Sequence, residues 1–544
     1  MKEKPVLTMT KRLGRRGLVA IIAIELLGAV VALRWAFHYG RETQPAELWI
    51  DPGLPAAVGH AVRQWASAQP GRLAWADGPG ADLTVSWQQE RGARRLADIV
   101  LVPVARFPSL RDGVASEDLK RAWSGQDPTE DQPSHLFVSA GTAAALEALL
   151  GPRGVGSPAT IVAEDDVAGR LWAEPGALGL VPFDRLEPRL KVLSLDGLVA
   201  LDRDLDLGHY PLLAPIWVRG PEELEGALVA YVQARGLASN RHLERLTVLV
   251  MTGVTALTRQ VALQIEARAD PAWPARQIGG LLSAADLTHV SNEVSFMSGC
   301  QAQADSPAFC ARPDYLETLR LCGVDVVELT GNHNLDFGPE SALGSLDLYA
   351  ATGIKTFGGG RDAADARRPL LIAHHNNRLA FLGYNQYGPD YAWATEDGPG
   401  AAPFSLDAVR SDVARVRAQA DLVLVSVQYT ETYDTAPLPA QVDDFRAIVE
   451  AGADVVTGSQ AHQPQSIEFY QGKPIFYGLG NLFFDQTWSD DTRQSLVLRH
   501  FIYEGRLVST QLIPTTMGDD FQPYAAQGEE RTAILRSVFA ASGW

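Results

Sequence analysis

Short β-branched, apolar runs alternate with helical patterns along this chain, and after a break near residue 241 the alternation starts again. No other feature constrains the fold as much. Strands separated by helix-length segments pair in parallel, and parallel sheets need helices over their faces. In the first series, 48–50, 83–87, 99–104, 160–162 and 191–193 read as strands, and 56–68, 141–150 and 222–234 as helices. The second series opens on the β run 246–252, continues to about residue 513, and ends in a helix near 530–541. At 544 residues the chain exceeds one core. The expected organisation is therefore one α/β domain over 46–242 and a larger α/β sandwich over 245–540.

The N-terminus carries a different signal. Residues 1–40 hold seven Lys/Arg against Glu3 and Glu25. Lys11, Arg12, Arg15 and Arg16 precede an apolar run over 18–33, broken by Glu25 and extended by Trp35 and Phe37 if Arg34 snorkels. The run predicts a basic cytoplasmic tail over 1–16 and an uncleaved transmembrane signal anchor over 17–36. The bulk of the chain is then extracytoplasmic, on a single-pass membrane protein.

The remainder is more acidic than the whole-chain net charge of −18. A phosphate backbone needs clustered cations, so a nucleic-acid partner is excluded. Cysteine usage agrees with an oxidising compartment: Cys300 and Cys310 flank a polar, turn-rich stretch that a disulfide would close, and Cys322 reads as a packing residue.

The segment 46–242 resembles a type II periplasmic-binding-protein domain. The likeness rests on LVPVARFPSLR (101–111), the Trp123–Gly125 turn after a helix, and GALGLVP (176–182) ahead of 191–197. Such domains hold small anions on hydroxyls and helix N-termini. Ser139, Gly141 and Thr142 suit that role, or else simply cap the helix that follows.

In the second series each functional signal follows a predicted strand, where α/β proteins place their sites. These are MTGVTALTR (251–259), SNEVSF (291–296), LTGNHNLDFG (329–338), the 428–433 run, GSQAHQPQ (458–465) and YGLGNLFFDQ (477–486). In order and spacing they resemble the CapA (poly-γ-glutamate capsule synthesis) family, whose motifs read approximately GDvmlgR, NLE, ANNHalDyG, HWGxEY, GhHPHvlQ and YSLGNFvFDQ. Gly358–Arg361 with Ala366–Pro369 matches that family's glycine-rich run. The resemblance implies a calcineurin-like metallophosphatase α/β sandwich, with Asn332 and His462 as metal ligands and His333 as the catalytic proton donor.

The departures matter. The first motif's acid is Val254 here, the histidine of HWGxEY is Gln428, its acidic position is Thr432 beside Glu431, and the first histidine of the fifth motif is Gln460. Amides are poor ligands for transition metals. The expected cofactor is therefore none, or one weakly bound divalent cation, and the same resemblance leaves open whether the chain is an enzyme. Arg259, Glu293, Gln428 and Gln460 form a mixed donor–acceptor set suited to binding a substrate, with Arg259 either clasping an anionic group or bracing its own loop. Asp336, Asn481 and Asp485 read as turn formers, and His374 and His375 as a surface turn.

Three functions follow. The first is an extracytoplasmic factor in capsule or exopolymer assembly, whose partner is an anionic extracellular polymer or its membrane synthase. The second is a metal-dependent hydrolase of phosphoester or peptide-like bonds. The third is an extracellular solute receptor acting through the first domain.

Overall fold

The computed structural model describes residues 44–126 and 134–544. The expected tail (1–16) and anchor (17–36) lie outside the described residues; among those described, no helix is long and apolar enough to cross a membrane.

Two compact units emerge. The described part of the first comprises residues 44–97 with 215–238; the second comprises 98–214 with 239–544. This differs from the expected boundary near 242–245. The unit limits fall inside two strands, Arg94–Arg106 and Leu213–Arg219. A division within a strand leaves no loop signal in the sequence.

In the first unit, strands Ala46–Ile50, Leu73–Trp75 and Leu83–Ser86 run parallel, and Trp217 to Arg219 pair antiparallel with Ser86 to Thr84. Helices Ala56–Ser67 and Glu222–Ala234 pack together there. The first helix buries Val58, Ala61, Val62 and Trp65, a stripe at helical spacing. The second begins after Pro221 and places Glu222, Glu223 and Glu225 in its first turn, where they complement the helix dipole.

In the second unit, Leu136–Ser139 pairs parallel with Ala159–Val162 and with Leu178–Pro182. Ser139 caps helix Ala140–Leu150, accepting a hydrogen bond from Thr142 N at 3.2 Å.

The larger part of this unit is a four-layer sandwich. One sheet orders Lys355–Phe357, Val326–Glu328, Leu287–Asn292 and Leu246–Thr255 in parallel, then continues antiparallel through Gln494–Tyr503, Arg506–Met517 and Pro523–Ala525. The other orders Leu370–His374, Asn377–Asn385, Leu422–Gln428, Val455–Ser459, Lys473–Phe476 and Ile467–Tyr470. Leu249, Met251, Val326 and Phe357 from the first sheet meet Leu379, Phe381, Leu424 and Phe476 from the second. Helices cover the outer faces: Arg259–Arg268 and Leu316–Leu321 on one side, Leu406–Val416 and Pro439–Glu450 on the other. Central strands such as LVLVSVQ (Leu422–Gln428) are buried along their whole length, as strands covered on both faces must be.

Candidate functional site

The parallel strands of both sheets release their loops at the same edge, and every singled-out residue of the sandwich motifs sits there. Glu293 follows strand Leu287–Asn292, Asn332 and His333 follow Val326–Glu328, Gln428 ends Leu422–Gln428, and Gln460 with His462 follow Val455–Ser459. Two close approaches allow this convergence. A Cβ on Gly331 would lie 2.3 Å from Glu293 Cα, and one on Gly253 would lie 2.0 Å from the Gly480 carbonyl oxygen. Only glycine fits either place.

At the centre lies the amide of Gln428. Its Nε2 donates to Gln460 Oε1 at 2.8 Å, Asn332 Oδ1 at 3.1 Å and Glu293 Oε2 at 3.3 Å. Asn385 fixes which way this amide faces. Its Nδ2 donates to Gln428 Oε1 at 2.6 Å and to the Thr330 carbonyl at 2.7 Å, while its Oδ1 accepts from Gly388 N and Trp393 Nε1. The Gln428 NH2 is therefore left to face the three acceptors. Gln428 and Glu293 are almost sealed, at 1% and 2% exposure. Burial pushes the Glu293 carboxyl up to about 7, with His333 opposing the rise and Glu431 and Asp336 adding to it.

His333 Nδ1 lies 2.6 Å from Asp336 Oδ2, and its ring stacks on Phe309 at 3.9 Å. Burial works against its charge, but the Asp336 hydrogen bond and the charges of Glu293, Asp336 and Glu431 outweigh it and raise the pKa. His462 behaves the opposite way. Burial lowers its pKa; its Nδ1 lies 2.9 Å from Asn481 Oδ1, and its Nε2 is 3.7 Å from Glu431 Oε1.

Arg259 stands apart from the Gln428 cluster. Its Nε donates to the buried Asp485 at 3.1 Å, and its guanidinium lies over Phe309 and Phe484. It braces its loop, while its terminal Nη groups make no hydrogen bond among the described residues. Asp485 and Asn481, read as turn formers, thus hold Arg259 and His462 respectively. Asp336 likewise does more than shape a turn, accepting from His333 and from Phe309 N. Cys300 and Cys310 form a disulfide, and Cys322 is a buried thiol.

Sequence reasoning missed two features. One is Asn385, whose only signal was a polar residue ending an apolar strand. The other is an aromatic rim. Tyr391 and Trp488 are each 60% exposed, and Tyr387 and Tyr433 are partly so. The Tyr387 and Tyr433 hydroxyls donate to Glu431, the Tyr391 hydroxyl reaches Asp336 at 3.4 Å, and Tyr433 stacks on His462 and contacts Trp488.

Residues 248–486 match the family model described as "Bacterial capsule synthesis protein PGA_cap". The chain is similar to capsule biosynthesis protein CapA of Bacillus anthracis, 28% identical over 232 residues that cover 42% of this chain and 56% of that protein. It is also similar to a "Probable polyglutamine synthesis accessory protein" of Mycobacterium tuberculosis, 29% identical over 285 residues, 48% of this chain and 75% of that one. The chain thus spans little more than half of the Bacillus relative. Among solved structures, an ABC-type phosphate transport receptor from Vibrio cholerae is 14% identical with a TM-score of 0.29, covering 35% of this chain and 96% of that one. The match of residues 248–486 to this family model, and the likeness to these relatives, agree with the resemblance that the motifs carry.

Proposed function

We propose that this chain, with its CapA-family sandwich, serves capsule or exopolymer assembly outside the cytoplasm, anchored by its N-terminal segment, and binds an anionic, poly-γ-glutamate-like polymer or its membrane synthase. The observation that carries this reading is the polar floor of amides and Glu293 beneath exposed aromatic rings. Tyrosine and tryptophan faces give a chain-like ligand contact area at low entropic cost, and buried amides pair with its polar groups. The Nη groups of Arg259 are the cation best placed to meet a polymer carboxylate.

The residues do not fit a two-metal centre. An amide N–H points into the space shared by Glu293, Asn332 and Gln460, where a cation would need lone pairs. Val254 supplies no ligand atom. The reading is therefore of a degenerate metal site used for binding.

The test is titration of poly-γ-glutamate into the purified full chain. Trp488→Ala and Tyr391→Ala are expected to weaken binding about 3- to 10-fold each, matching roughly 0.5–1.5 kcal/mol per aromatic contact. Affinity unchanged in these variants and in Arg259→Ala, Glu293→Gln and His333→Ala would remove the pocket from the proposal.

A second reading, hydrolysis, is favoured by the 2.6 Å His333–Asp336 contact, which holds an imidazole of raised pKa beside Glu293. Polymer cleavage that disappears in His333→Ala would select it.

A further inference from the structure

At the opposite end of the sandwich from the amide cluster, three side chains converge that the functional reading does not use. Strand Leu246–Thr255 runs from one place to the other, and ten strand residues span about 30 Å. Asp286 immediately precedes strand Leu287–Asn292 of the first sheet. His374 ends strand Leu370–His374 of the second, and His375 starts the turn into Asn377–Asn385. His375 and Asn376 have φ of 45° and 63°, the left-handed pair of a two-residue hairpin turn. The hairpin register, His374 opposite Asn377, forces the two imidazoles to the same end of the sheet, with ring centroids 3.9 Å apart. One ligand atom from each of Asp286, His374 and His375 lies within 4.8 Å of the others.

The hydrogen bonds prepare this group for a cation. His375 Nδ1 lies 2.7 Å from the Leu246 carbonyl, which can only accept, so Nδ1 carries the proton and Nε2 the lone pair. His374 Nδ1 lies 3.0 Å from Thr247 Oγ1. That hydroxyl donates to the His374 carbonyl at 3.1 Å and accepts from Asn377 Nδ2 at 2.9 Å. With its proton on that carbonyl the hydroxyl can only accept from the ring, and His374 Nδ1 then carries a proton and leaves Nε2 open. Orienting a ligand imidazole through its other nitrogen is how metal sites fix tautomer and direction. Asp286 Oδ2 takes the Val248 N–H at 2.7 Å and the Arg203 guanidinium, while Oδ1 makes no hydrogen bond among the described residues. All three residues are half-buried, close enough to solvent for an ion to enter and keep a water.

We infer that Asp286, His374 and His375 form a binding site for a borderline divalent cation of the zinc, cobalt or nickel type. Two imidazoles and one carboxylate suit such ions better than magnesium or calcium, which demand more oxygen ligands. Three protein ligands leave one position for water. The ion would join the hairpin turn of one sheet to the loop entering the other. Ligand atoms of a four-coordinate ion lie roughly 3.4 Å apart at bond lengths of about 2.1 Å, so the three groups, within 4.8 Å of one another, draw closer on binding.

The experiment is calorimetric titration of Zn2+ into the untagged full chain, with Co2+ visible absorption as a readout of imidazole coordination. One saturable equivalent is expected. His374→Ala and His375→Asn should each weaken it at least tenfold and abolish the cobalt band. Asparagine accepts the positive φ at position 375, so this second variant keeps the turn. Asn332→Ala and His462→Ala, in the distant amide cluster, should leave this zinc equivalent and the cobalt band in place, whatever they do to polymer binding. Absence of saturable binding overturns the inference. So does binding that survives both histidine variants, or that is lost with Asn332 or His462 instead.

Discussion

Glu293 is a carboxyl whose position decides its charge. It was legible in the sequence as the acid of the second motif, yet nothing in the motif indicates a pKa of about 7; that comes from burial under Gln428, Asn332 and the two sheets. The usual value in an unfolded chain is near 4.5, so between about pH 4.5 and 7 the folded state keeps a proton that the unfolded state releases. Stability contributed by this group is full below pH 4.5, falls as pH rises, and is lost above 7. Glu293→Gln removes that dependence. The variant should match the parent chain at pH 4 and exceed it at pH 8 by on the order of 3 kcal/mol, read by denaturant unfolding at both pH values. Equal stability at pH 8 would mean the carboxylate is solvated. Arg259 illustrates the opposite outcome. Sequence left it between ligand contact and loop brace, and the structure places Asp485 at 3.1 Å from its Nε because the 477–486 motif packs onto the first strand.

At the scale of elements, sequence reading was strongest where hydrophobic period and length agree. The expected helices 56–68, 141–150 and 222–234 are found at Ala56–Ser67, Ala140–Leu150 and Glu222–Ala234. The SAGT stretch is a helix cap, with Ser139 buried and bonded to Thr142 rather than open to an anion. Position 374–376 is a turn as expected, but its histidines lean on Leu246 and Thr247 instead of facing only solvent. The loop between Val326–Glu328 and His333 depends on the absence of a side chain at Gly331. Gly331→Ala must push Glu293 or Asn334 aside, since its Cβ would meet backbone 2.3 Å away. It should destabilise the chain by about 1–3 kcal/mol and displace Glu293, which thermal unfolding and polymer titration would both register. An unchanged melting temperature would mean that this loop relaxes freely.

The whole molecule places a disulfide, an acidic body and an expected membrane anchor in one chain, which fits an oxidising, extracytoplasmic setting. In intact cells the chain should fractionate with membranes and be cut by added protease; recovery in the soluble cytoplasmic fraction would overturn the proposed topology. By itself, the sequence determined the α/β class, the alternation of strands and helices, the resemblance of the sandwich motifs to the CapA family and the loops that carry those motifs. These are local or linear properties, written in apolar period and motif order. Only the tertiary structure decided what the motif residues do to one another. Asn385 turns the Gln428 amide toward Glu293, Asn332 and Gln460; tyrosines and a tryptophan from separate loops assemble one rim; and Asp286 meets two histidines far along the chain. Each of these depends on how two sheets stack and stagger. That stacking is set by side-chain packing between segments about a hundred residues apart, for which no local pattern exists.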